Sequence, residues 1–218
     1  MREMAKRFTE VLALENHIIA LRYSARAQGE QRRAAACGAL GMVAKEGATV
    51  TLSADNSQCP GGSYYLGLAE RRAGIEEFLV EEEHIFETYP LARRYFETLP
   101  EPPLGLRPYV NMCPLDEATE EPDLVIFTTN AAVAGRLLGL VAYSRSPWQM
   151  HAFGAACFCA VTGPLMKDRP EVSFIDISAR RRSPFTDEEL LVSLPWQDCQ
   201  TAHRNIDKSV CGTYEFRL

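Results

Sequence analysis

Apolar residues recur along this chain in two rhythms, and the rhythm predicts the elements. Over residues 2–28, Phe8, Val11, Leu12, Ile18, Ile19 and Leu21 fall at helical spacings, which predicts one amphipathic helix with Gly29 as its stop. A second helix is expected over residues 34–45, "AAACGALGMVAK", closed by Glu46-Gly47. Its Gly38 and Gly41 weaken a helix, so close packing against another backbone is the expected reason for them. "TVTLSA" alternates and is β-branched, a strand. The stretch "DNSQCPGGSYYLGLAE" then combines a Cys-Pro-Gly-Gly turn with a short helix through Glu70.

A helix over residues 82–99 is predicted from its acidic first turn and from Arg93-Arg94 near its end, with Pro90 kinking or dividing it. "YVNMCPL" reads as a strand, "PDLVIFTT" as a buried strand, residues 131–143 as a helix and "EVSFIDIS" as an alternating strand. Asp187 and Glu188 are expected to open a short helix that Pro195 stops. Alternating strands and helices predict a mixed α/β (α+β) fold, one compact domain with a mixed sheet packed by helices. The Pro/Gly-rich "LPEPPLGLRP", with residues 100–108 at its heart, is the best candidate boundary between two lobes.

Composition narrows the function classes. A net charge of -6 argues against a nucleic-acid partner, because phosphate binding needs a basic face. The pairs Arg32-Arg33, Arg71-Arg72 and Arg93-Arg94 and the triplet Arg180-Arg181-Arg182 read first as a solvated face alternating with Glu81-Glu82-Glu83, and second as an anion site. The longest uncharged apolar stretch, residues 152–166, is shorter than the roughly 20 residues of a membrane helix, and Glu10, Glu15, Asn16 and His17 interrupt any export signal. A cytoplasmic protein without membrane contact is the expectation. The seven cysteines then gain meaning: a reducing compartment disfavours a disulfide framework, leaving small buried hydrophobes or thiolates in metal or redox service.

Cys59 precedes a proline suited to the first position of a helix. Unpaired N–H groups at a helix start stabilise a thiolate, so Cys59 is a candidate nucleophile, cluster ligand or anion-site residue. The alternative is an ordinary buried cysteine beside a tight turn. Gly61 and Gly62 let the backbone approach a ligand closely, which makes them candidate cofactor-binding positions. Cys37 sits among small apolar residues, and Cys113 precedes Pro114 as Cys59 precedes Pro60, a dipeptide also found at the ends of iron–sulfur runs. Cys157 and Cys159 form "CFC"; if that stretch is helical, one of the two points at a common site. Gathered by folding, Cys37, Cys59, Cys113 and Cys157 would supply the four soft ligands of a 4Fe-4S iron–sulfur cluster, or of zinc.

Other chemistry carries less. His17 is read as a core residue on an apolar helix face, and His84 lacks the second histidine of a zinc-protease motif. His151 is a candidate to orient a ligand near the cysteine segment, His203 is read as a surface residue, and Cys199 and Cys211 as incidental in polar surroundings. No C-x-x-C, phosphate-binding glycine loop, dinucleotide fingerprint or nucleophile elbow occurs.

Taken in order, "ACGALG", "TLSADNSQCPGGSYYLGL", "PDLVIF", "GAACFCAVTGPL" and "DEELLVSLP" resemble the domain-of-unknown-function 169 (DUF169, ArCR) family over residues 34–195. The resemblance implies cysteines at the positions of Cys59 and Cys157 and no established activity. It also implies a Gly-Cys-x-Gly-Cys-Arg run where this chain has "IDISARR", so Asp176 and Ala179 stand where two cysteines are expected. Three functions follow: a cysteine-ligated iron–sulfur or metal protein performing redox or sulfur chemistry on a small molecule, with a redox partner; a metal-free thiol enzyme using Cys59 as its catalytic residue; or a non-enzymatic module binding a small-molecule ligand.

Overall fold

The helical rhythm of the first residues breaks early. In the computed structural model, which describes residues 1–102, 104–150 and 154–213, helix α1 spans Arg2–Leu12 and ends where Ala13 turns left-handed at φ 50°. Ile18, Ile19 and Leu21, expected on that helix, belong instead to strand β1 (Ile19–Ser24) and its lead-in. A strand covered on both faces shows a continuous apolar run, which spacing alone does not separate from a helix face. The polar break Glu15-Asn16-His17 marks the change, and it leaves His17 exposed.

The chain continues through α2 (Ala36–Glu46), β2 (Val50–Leu52) and α3 (Pro60–Tyr65). Next come a three-residue α4 (Ile75–Glu77), which runs into a π-helical turn (Phe78–Glu82), and α5 (Tyr89–Glu97). Pro90 does not kink a longer helix; it occupies the first turn of α5, where its missing N–H costs nothing. β3 (Tyr109–Pro114), β4 (Leu124–Thr129) and α6 (Ala131–Ala142) lie where the pattern put them. Residues 156–167 form one helix that contains a π-helical turn (Phe158–Thr162) and closes as α7 (Gly163–Lys167). β5 (Glu171–Ser173) is shorter than expected, because Ile175 takes φ 55°, a costly conformation for a β-branched residue, and Asp176 then caps α8 (Ile177–Arg180). "LLVSLP", expected to be helical, is strand β6 (Leu190–Pro195), buried throughout; α9 (Trp196–Asn205) and α10 (Val210–Thr213) follow. Its two covered faces erase the alternation, and the preceding Asp187-Glu188 imitates a helix start.

These strands form a six-stranded sheet in the order β2-β3-β1-β4-β6-β5, with every neighbouring pair antiparallel. The α/β class holds, and the single sheet draws strands from both sides of residues 100–108. Alternate residues of β1 and β4 enter two cores. Ile19, Leu21, Leu124 and Ile126 face α2 and the 156–167 helix, whereas Ala20, Val125 and Phe127 face α1, α6 and α9. Among the described residues no helix is long and apolar enough to cross a membrane.

The glycines of α2 act by contact, as expected. A Cβ on Gly41 would lie 2.4 Å from Pro184 Cδ, and one on Gly38 would lie 3.4 Å from the Arg182 carbonyl oxygen. Small residues here let the segment after α8 lie on α2 and hold Arg181 and Arg182 beside it.

Candidate functional site

Between α2, α3, the segment from α4 to α5, the start of the 156–167 helix and α8 lies a cavity of about 1280 Å³. Its inner end is built from helix starts. Cys59 is the N-cap of α3 and accepts a hydrogen bond from the Gly62 N–H at 3.4 Å; Pro60 takes the first helical position. Cys37 occupies the first turn of α2, Cys157 the first turn of the 156–167 helix, and Asp176 the N-cap of α8. All four line the cavity.

The three sulfurs are near enough to act on one another. Burial pushes the Cys37 thiol above its ordinary pKa, and the neighbouring Cys59 adds to this. Cys157 is pushed well up by burial, then by Cys59, Asp176 and Cys37. Both are therefore neutral thiols at neutral pH. Cys59 is the partly exposed member of the group, as is Cys157, while Cys37 is buried.

Asp176 does structural service at this end. One carboxylate oxygen accepts from the Ala156 N–H at 2.7 Å and the other from the Ala179 N–H at 3.0 Å. It thereby ties the start of the Cys157 helix to the start of α8. The two positions where the family resemblance places cysteines, Asp176 and Ala179, line the same cavity as Cys37, Cys59 and Cys157.

Not every expected residue is gathered here. Cys113 pairs with Ala20 across β3 and β1 and faces the α1/α6/α9 core, on the opposite side of the sheet; burial and then Glu117 and Asp116 raise its thiol to about 11. The convergence of four cysteines is therefore corrected to three. Cys159 also lines the cavity but faces Gly154, and burial followed by Glu171 raises it to about 12. Cys199, expected in polar surroundings, is wholly buried under α1. His203 is half-buried with its ring edge-on to Phe8, rather than on the surface. His151 lies outside the described residues. Gly62 serves packing, since a Cβ there would lie 3.1 Å from Ala36 Cβ, whereas one on Gly61 would meet only Cys59 Sγ, at 4.0 Å.

A cluster or metal does not fit these side chains as they stand. Among the described residues no group of three or more His, Cys, Asp or Glu side chains is arranged to hold a metal ion. Cys113 is across the sheet, both Asp176 oxygens serve backbone N–H groups, and two of the three thiols must first lose protons that burial retains.

Sequence reasoning missed the rest of the cavity. Tyr65 is buried and donates its hydroxyl to Tyr95, which also accepts from the Ala155 N–H at 3.1 Å; burial raises Tyr95 to about 12. Phe78, Leu79, Ile85 and Phe86 close one side from a strap, residues 75–86, that enters through Gly74 at φ 77° and turns at His84 at φ 51°. Glu83 fastens this strap to α8 and its following segment, accepting from the Ser178 hydroxyl and from Arg182 at 3.2 Å. The signals were the aromatic residues at 64–65 and 95–96 and the apolar run after Gly74, none of which carries a motif.

No curated protein and no solved structure matches the chain. The model of the uncharacterised ArCR family, domain of unknown function 169, matches residues 7–205. That match takes in β1 through α9, including every sulfur of the cavity, and the chain belongs to this family.

Proposed function

We propose that this protein binds a small organic molecule whose apolar body fills the cavity beside Cys59. The carrying observation is the cavity itself. At about 1280 Å³ it exceeds the ~300–1000 Å³ usual for drug-sized ligands, and its walls are aromatic and aliphatic with a few convergent polar groups. Phe174 and Ile177 line it while remaining 62% and 68% exposed, so large apolar side chains stand in water where a ligand would cover them.

Binding is favoured over catalysis by what surrounds the thiol. A cysteine nucleophile is activated by a base, a cationic neighbour or a helix start, and Cys59 has the last, at the six-residue α3. The neighbours of Cys59 at the inner end are two neutral thiols and a carboxylate already committed to backbone. His84, the one histidine among the described lining residues, sits exposed on the strap with Nδ1 3.0 Å from the Val80 carbonyl oxygen. The thiol-enzyme reading stands second, supported by the part-exposed Cys59 sulfur at its helix start.

A neutral naphthylamine dye, N-phenyl-1-naphthylamine, tests the proposal by fluorescence titration and by ligand-dependent thermal stabilisation. Saturable binding is expected, and Gly61→Leu should abolish it without lowering the melting temperature, because that side chain enters open space beside Cys59. Absence of saturable binding, or binding indifferent to Gly61→Leu, defeats it.

A further inference from the structure

We infer that the ligand carries an anionic group, carboxylate or phosphate, held at the cavity mouth by Arg33, Arg72 and Arg181. This rests on the binding reading above and names the chemistry of its ligand. The chain has 23 basic and 29 acidic residues, yet among the described residues five arginines and only three carboxylates line the cavity. An acidic protein has thus concentrated cations around one opening, which focuses the field there and draws anions to it.

The balance tightens when each charge is followed to its partner. Glu83 is engaged by Arg182 and Ser178, and Asp176 accepts from two backbone N–H groups. Arg71 lies over the Phe96 ring, 5.0 Å from its centroid. Arg33, Arg72 and Arg181 are exposed, and among the described residues their side chains have no ion pair or hydrogen bond. Glu46, exposed at the end of α2, is the one lining carboxylate without a described partner.

The three free guanidinium groups come from three separate places: the lead-in to α2, the loop after α3 and the residue following α8. Chance clustering on a single solvated helix face does not explain that. The backbone after Arg181 packs on α2, with the Arg182 carbonyl at Gly38 and Pro184 at Gly41, so the fold sets where the Arg181 side chain starts. Guanidinium forks bind carboxylate or phosphate oxygens in a bidentate manner, and such charge-assisted bonds discriminate an anionic ligand from its neutral counterpart.

The matched pair N-phenyl-1-naphthylamine and 1-anilinonaphthalene-8-sulfonate differs by one sulfonate and tests this on the full chain. The sulfonate dye should bind ~10-fold more tightly than the neutral dye, and rising salt should weaken it alone. Arg33→Gln, Arg72→Gln and Arg181→Gln should each erode that advantage while leaving neutral-dye binding intact. Arg204→Gln, on α9, should change neither. Displacement by 1-naphthoate or by 1-naphthyl phosphate, more strongly than by neutral 1-naphthol, identifies the oxyanion, and success of either supports the inference. Equal affinity for the two dyes, or arginine variants that lower both alike, overturns it while the binding proposal stands. Failure of the neutral dye as well counts against the binding proposal itself.

Discussion

Removing the Asp176 carboxylate should loosen the inner end of the cavity by an amount the structure sets. Asp176→Ala deletes the cap of α8, a loss of about 0.5–2 kcal/mol, and strands the Ala156 N–H in a residue only 1% exposed, which costs about 1–3 kcal/mol more. Together these make about 1.5–5 kcal/mol, or a fall in melting temperature of roughly 3–20 °C for a chain of this size. Asp176→Asn keeps one acceptor oxygen and should recover the cap but not the second bond. Asp55→Ala, at an exposed position, should stay within ~0.5 kcal/mol of the parent. Thermal unfolding gives the magnitude, and mass-resolved alkylation gives the place. With the first turn of the 156–167 helix released, the part-exposed Cys157 should be alkylated faster in Asp176→Ala than in the parent, before global unfolding. A variant melting within ~1 °C of the parent, its Cys157 alkylated at the parent's rate, would refute this role for the carboxylate.

Glu83→Ala should release the strap: amide exchange over residues 75–86 should quicken while the melting temperature holds, because no residue of α4 or its π-helical turn is buried. Uniform exchange in both proteins would show that Glu83 is not the fastening. Burial, with Arg7 nearby, holds His203 below the ordinary imidazole pKa. The folded state therefore binds fewer protons than the unfolded chain near pH 6.5, so stability should fall as pH drops through ~6.5, and His203→Asn should flatten that slope. Protein purified without oxygen should contain far less than one cluster's iron and sulfide per chain; stoichiometric iron with a visible absorption band would reinstate the cluster.

The sequence disclosed elements where one face meets water or where a cap is spelled out. α2 with its Gly47 stop, the Cys59-Pro60 start of α3 and the half-exposed α6 were legible for that reason, and β3 and β4 by their apolar runs. β1 and β6 were not: covered on both faces they lose their alternation, and unlike β4 each follows a helix-like signal, the rhythm of α1 or the Asp187-Glu188 pair. In the site, Cys59 and its glycines stood out through turn chemistry, although Gly62 proved to be a packing residue and Gly61 the open one. Whether distant cysteines meet depends on strand register. The pairing of Cys113 with Ala20 sends its sulfur to the far side of the sheet, and no spacing encodes that. The arginine pairs read as a solvated face because their spacing does not show that Arg33, Arg71-Arg72 and Arg181-Arg182, from three separate segments, line one cavity while Arg32, Arg93, Arg94 and Arg180 do not.

Alkylation of Cys59 in the presence of ligand tests the central claim most directly, with Cys211, packed against Gly139 on the other side of the sheet, as an internal reference. As N-phenyl-1-naphthylamine is added, the rate at Cys59 should fall in proportion to the unoccupied fraction of sites, while Cys211 reacts as before. A Cys59 rate unchanged at saturating dye would place the ligand elsewhere and contradict the account.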